Sequence, residues 1–191
     1  MKISKEILLR INEGFGGNLR SSSSLDYALE KQEDRKLGSY KKMAYLFRAI
    51  LVDHPFSDGN KRTATFIALA FAEDNKKQVD RDLLMHHIVS IAKQNIISIK
   101  NIEWRLKHSE MKFPVCQKPQ VFKQMQSDEI KKIMKKYKDI FETLKRYDET
   151  GELPFQRKRI DLTLSVRTIE KLRKLKQQTG KPISQIIEEK I

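Results

Sequence analysis

The sequence predicts a mainly α-helical protein that closes on a short β-α-α segment, and three observations carry this. Apolar residues recur at helical spacing through most of the chain. Seven glycines and five prolines in 191 residues leave few places where a helix must break. One short run near the C terminus alternates apolar and polar residues instead, the period of a half-buried strand.

Taken in order, Ile3, Ile7, Leu8 and Ile11 share one face of a first helix. Gly14 to Ser24 (GFGGNLRSSSS) is a Gly/Ser loop whose end can cap a helix starting near Leu25. Ser39-Tyr40 opens a strongly apolar helix, KKMAYLFRAILVD, which stops at His54-Pro55. A second apolar helix, TATFIALAFAEDN, follows from about Asn60. Segments near 80–95 and 97–107 read as further helices, with Ile88, Ile91, Ile96 and Ile97 as core candidates. From Met111 to Lys123 two prolines interrupt any period, which marks a domain boundary. Asp128 then caps a basic helix to about Arg146, with Ile130, Ile133, Tyr137, Ile140, Phe141 and Leu144 on one face. The expected domains are 1–110, a linker with a basic helix over 111–156, and a small module over 157–191.

Composition excludes several classes. No apolar run approaches the roughly 18 residues of a membrane span. A lone Cys116 excludes an intramolecular disulfide framework and a Cys-rich zinc site. The start, MKISKEILLRINEGF, lacks the apolar core of a secretion signal, so a cytoplasmic protein is expected. The formal net charge is +14, from 39 Lys plus Arg against 25 Asp plus Glu. Residues 1–110 hold 19 basic and 14 acidic residues, a net +5, and residues 111–191 hold 20 and 11, a net +9. The second part therefore has the stronger claim on DNA, the alternative being a solvated basic helix face.

The strongest signal is His54-Pro55-Phe56-Ser57-Asp58-Gly59-Asn60-Lys61-Arg62, set between two apolar helices. A loop leading into a helix N-terminus offers unpaired N–H groups and a favourable dipole to an anion. Gly59 permits close backbone approach, and Asn60, Lys61 and Arg62 add donors and positive charge suited to a polyphosphate. Asp58 is placed to hold a Mg²⁺ that bridges phosphate oxygens. His54 titrates near neutral pH and can take a proton from an attacking hydroxyl. Together these describe phosphoryl or nucleotidyl transfer.

HPFSDGNKR resembles the signature of the Fic/Doc (Fido) family, and the resemblance extends over roughly residues 1–110. It implies a helical catalytic domain that uses ATP and Mg²⁺ to modify a hydroxyl of a target protein. By the match, His54 is the base, Phe56 a buried anchor, Asp58 the Mg²⁺ ligand, and Gly59, Asn60, Lys61 and Arg62 hold phosphates, with Asn60 alternatively ordering the loop. The 14–24 loop falls where the family carries a flap that pairs with the target segment. Two departures matter. Lys61 stands where the AMP-transferring branch has Gly, and Thr65 where that branch has its final Arg. Asn-Lys-Arg-Thr-Ala instead resembles the death-on-curing toxin branch, which implies phosphate transfer in preference to AMP transfer. That branch also implies a toxin-like or self-regulated protein, with a separate antitoxin as a further partner.

Outside the motif, His86 and His87 are adjacent on one helix, face different ways, and are not expected to share a metal. Trp104 and His108 are expected to pack at the end of the domain. In the last segment Ile160, Leu162 and Leu164 alternate with Asp161, Thr163 and Ser165. A helix capped by Ser165 or Thr168 ends at Gly180, and a second starts at Pro182. One strand and two short helices cannot form a core alone, so a second copy is needed. The segment resembles the ribbon-helix-helix fold of DNA-binding regulators, which implies a homodimer. Arg159, Asp161 and Thr163 would then face bases. Asp161 either accepts from a cytosine amino group or repels DNA and leaves a pure dimerisation module. A nucleotide-sensing transcriptional regulator is therefore the rival to the enzyme.

Overall fold

A computed structural model describes residues 3–109, 127–155 and 163–188. The chain divides into two compact units, Met1–Phe155 and Gln156–Ile191.

The first unit is helical among its described residues. Its elements are α1 (Lys5–Glu13), α2 (Ser23–Glu33), α3 (Ser39–Leu51), α4 (Asn60–Asp74), α5 (Arg81–Lys93), α6 (Ile99–His108), α7 (Ser127–Lys136) and α8 (Lys138–Thr150). Three starts are fixed by side-chain caps: Ser4 accepts from Ile7 N, Asp80 from Leu83 N and Ser98 from Asn101 N. Helix α4 is the axis of the unit. Every residue from Arg62 to Ala72 is buried, and α1, α3, α5, α7 and α8 all touch it. A helix apolar on all sides can only sit inside such a bundle. Its alanines (Ala64, Ala68, Ala70, Ala72) keep it thin enough for several neighbours at once.

Helices α7 and α8 change the expected domain plan. Ile130, Ile133, Tyr137, Ile140, Phe141 and Leu144 join the same core as α1–α6. The ring of Phe141 meets Phe15 at 4.9 Å and Phe66 at 6.4 Å between centroids. Lys136 Nζ pairs with Glu73 of α4 at 2.6 Å. The basic stretch expected as a linker is thus part of the first unit, which ends at Phe155 and not near residue 110. The amphipathic face was visible in sequence, but what it would cover was not.

One core expectation needs correction. Ile97 is 61% exposed, because α5 stops at Gln94 and Asn95 takes a left-handed backbone (φ 51) that turns the chain outward. Trp104 is exposed near the end of α6 and stacks on His108 at 3.9 Å. His87 is buried against Ser109 Oγ (2.9 Å), whereas His86 is exposed. Cys116 lies outside the described residues.

The second unit contains α9 (Val166–Thr179) and α10 (Ile183–Glu188). Ser165 caps α9 and Gly180 closes it in the left-handed conformation. No strand is present among the described residues, which corrects the expected β-α-α module over 163–165; residues 157–162, with Arg159 and Asp161, lie outside them. Thr163 and Leu164 are exposed and run directly into the cap of α9. The physical reason is that a ribbon's hydrogen-bond ladder lies between two chains, and one copy offers no partner backbone. Helix α9 has no buried residue, and Val166 is 73% exposed.

Candidate active site

The site is the loop between α3 and α4. After Leu51 the chain turns at His54, whose φ of 48 is unusual for a residue with a side chain. A position of this kind costs roughly 1–3 kcal/mol and persists only where neighbours over-determine it. Here they do. Pro55 and Phe56 are buried, and Pro55 O accepts from Arg20 N (2.7 Å) and Ser21 N (3.2 Å). Leu19 bridges Phe56, Ser57 N donates to Asn18 O (2.8 Å), and Asn18 N donates to Ser57 Oγ (2.9 Å). The 14–24 segment is expected as a flap for a target segment; its loop part, up to Ser22, uses these backbone groups to hold the motif itself. His54 is left exposed at the tip.

Asn60 orders the loop. Its Nδ2 donates to Phe56 O (2.9 Å) and its Oδ1 accepts from Phe56 N (3.2 Å), so both ends of the amide are spent internally. Gly59 sits at the N-cap of α4 with φ 72, a conformation that glycine adopts without strain. No side chain caps α4 there, and the first turn's N–H groups have no intrahelical acceptor. This leaves an anion-favouring end facing the loop.

The charged residues form two pairs. Arg62 is 6% exposed; it donates to Asp58 Oδ1 (2.8 Å) and to Phe15 O (3.3 Å), and its Nε has no partner. Arg62 is therefore a wall of the site, locked to Asp58, and not a free arm. Asp58 Oδ1 also accepts from Gly59 N, and its side chain is 56% exposed. Partial burial pushes its pKa up, but the hydrogen bonds from Arg62 and Gly59, with the charges of Arg62 and Lys145, outweigh this and hold it below the usual range. An ionised, outward-facing carboxylate beside a phosphate-favouring helix end fits a Mg²⁺ that keeps waters and phosphates as its other ligands. Lys61 Nζ pairs with Asp148 Oδ1 at 2.7 Å and lies 5.6 Å from the Tyr147 ring centre. Thr65 is fully buried and bonds back to Lys61 O (2.9 Å), so it contributes nothing to a phosphate site.

Loss of solvent around His54, then the Lys61 charge, lowers its pKa, while Asp53 and Asp148 oppose them. The imidazole is thus neutral, and able to accept a proton, to a lower pH than a free one.

Two contributors escaped the sequence reading. Asn12 is buried at the end of α1; its Nδ2 donates to Asp58 O (2.8 Å) and Thr63 Oγ1 (3.1 Å), tying α1 to the motif and to α4. Its one signal was a polar residue four positions after Leu8, on an apolar stripe. Gly17 has no room for a side chain: a Cβ would lie 2.3 Å from both Asn12 Oδ1 and Asp58 O. Gly17→Ala should therefore push the 14–22 loop off the motif. We expect a loss of about 1–3 kcal/mol, read as a lowered Tm, and a normal melting curve would show that the loop is not packed this closely.

Of the residues expected in the site, His54, Asp58, Gly59, Asn60, Lys61 and Arg62 converge on this loop. Thr163 belongs to the other unit, as do Arg159 and Asp161. Residues 2–72, from before α1 into the last turn of α4, match the model of the Fic/DOC family. No curated protein and no solved structure matches the chain.

Proposed function

We propose that the protein, whose residues 2–72 match the Fic/DOC-family model, is a transferase that uses ATP and Mg²⁺ to modify a hydroxyl of a target protein, in the cytoplasm. The observation that carries the reading is the exposed, lowered-pKa His54 held in one loop with the ionised Asp58 and Lys61 at the uncapped end of α4. Phosphate is the group we favour over AMP, because Lys61 and Thr65 occupy the positions of the adenylylating branch's Gly and Arg.

In this reading the target hydroxyl gives its proton to an imidazole nitrogen of His54 as its oxygen attacks the γ-phosphorus. The bond from that phosphorus to the bridging oxygen breaks, and ADP leaves. Asp58 would hold the Mg²⁺, which when bound neutralises charge on the phosphates. The α4 N–H groups and Lys61 would bind phosphate oxygens, and Arg62 would keep Asp58 in place. Incubation with γ- and α-labelled ATP, Mg²⁺ and cell lysate tests this: protein labelled from γ-ATP alone supports phosphate transfer, and label from α-ATP supports AMP transfer. Absence of any label would sink the enzyme.

The second unit supports a further role. Ile169, Leu172 and Leu175 stay half-exposed on α9, and among the unit's described residues only Ile186 is buried. Such a surface suits pairing with a second copy, and the net +6 of residues 156–191, from 10 Lys plus Arg against 4 Asp plus Glu, suits DNA. A nucleotide-sensing regulator would then be the alternative, and a fused module of this kind would make a toxin-like enzyme self-regulated or tie it to an antitoxin. Binding to a mixed-sequence duplex should weaken steeply with salt, and Arg159→Ala should weaken it more than Lys174→Ala. Equal effects would remove the DNA assignment.

A further inference from the structure

We propose that Asp148, near the end of α8 and far outside the family-matched segment, is a positioning residue that holds Lys61 ready for the nucleotide phosphates. The inference rests on the transferase reading above. Four observations carry it.

The pair is close and sheltered: Nζ to Oδ1 is 2.7 Å, with the two side chains only 20% and 25% exposed. Lys61 is held from a second side as well, by the face of the Tyr147 ring at 5.6 Å. The placement is costly for α8 itself. Asp148 lies in the last turn of Lys138–Thr150, where the helix dipole disfavours a carboxylate and no basic residue of that turn offsets it. Its partner is therefore the cation of α4, 87 positions away in sequence. Finally, α8 is fastened to the same core by Phe141 on Phe15 and Phe66, so Asp148 is presented from a rigid support.

The chemistry favours holding over blocking. A lysine ammonium has three N–H donors, and Asp148 uses one, which leaves two for phosphate oxygens. A free lysine on its four-carbon stem would lose rotamer freedom when a nucleotide bound. A lysine already fixed by Asp148 and Tyr147 has lost that freedom on folding. Both charges also act on His54, in opposite directions.

The test has two parts and uses the full chain, with Asp148→Ala, Asp148→Asn and Asp148→Glu each checked for an unchanged melting curve. Asn keeps an acceptor of the same shape, so at least one variant should fold. First, without nucleotide, acetylation of Lys61 by acetic anhydride is followed by mass spectrometry. Lys61 should react several-fold faster in Asp148→Ala and Asp148→Asn than in wild type, and Asp148→Glu should restore protection. Equal reactivity in all four proteins overturns the pairing. Second, Mg–ATP is titrated calorimetrically. The Kd should rise about ten-fold in Asp148→Ala, the size of one charge-assisted hydrogen bond, and fall back in Asp148→Glu. An unchanged or tighter Kd in Asp148→Ala, beside a wild type that binds ATP, overturns only the role of Asp148. A wild type that binds no ATP overturns the transferase reading, and the role falls with it.

Discussion

His54→Ala should abolish ATP-dependent labelling of the target while leaving the protein folded and able to bind nucleotide. Removing a positioned general base costs about 10²–10⁴ in rate, enough to take a radiolabel signal to background. The side chain is exposed, so no core contact is lost. The left-handed backbone at His54 is held by Pro55, Phe56 and the 18–21 segment, none of which the substitution touches. Alanine fits such a position no better than histidine, so any stability change should be small. The pH profile of the wild type supplies the second half of the test. Desolvation and Lys61 lower the imidazole pKa, so the neutral form persists below the ordinary value near 6.5. The rate should therefore rise with pH through a limb centred below that value, and it should already be on its plateau at neutrality. An acidic limb above 6.5, or labelling that survives in His54→Ala, would remove His54 from the reaction.

The motif could be read from sequence because its chemistry is local. His54 to Arg62 is one loop and one helix start, so residue type and spacing already bring imidazole, carboxylate and cations together. What sequence could not show is which of those groups are spent on one another. Arg62 looks like a phosphate arm, yet it is buried against Asp58 and Phe15. Asn60 is consumed by Phe56, and Lys61 is held by a carboxylate that only tertiary folding brings near. Helix positions were legible for the same local reason, since period and caps lie within a few residues. The fate of an apolar face is not local. The stripe on α7 and α8 announced burial without naming the surface beneath it, and a proline-bearing stretch before it suggested a boundary. The alternation at 160–165 suggested a strand, but its described part, 163–165, runs into the Ser165 cap of α9 and shows none.

Phe141→Ala should be among the most damaging substitutions outside the motif, although it lies beyond the expected domain boundary. Phe141 is 6% exposed and touches rings from two other parts of the unit, Phe15 and Phe66. A buried Phe→Ala change costs about 3–5 kcal/mol. For a unit of this size each kcal/mol lowers Tm by about 2–4 °C, so a drop on the order of 6–20 °C is expected. Exposed Lys131 of α7 is the control, and Lys131→Ala should stay within about 0.5 kcal/mol of wild type. A linker helix would show no such difference, and a melting curve unchanged by Phe141→Ala would return α8 to that status. The consequence reaches the site through a short chain of contacts. Phe141 supports the ring of Phe15, Phe15 O accepts from Arg62, and Arg62 holds Asp58. Phe141→Ala should therefore weaken Mg–ATP binding even at temperatures where the variant remains folded. If stability fell and nucleotide affinity did not, α8 would be a brace for the core alone, with no part in setting the carboxylate.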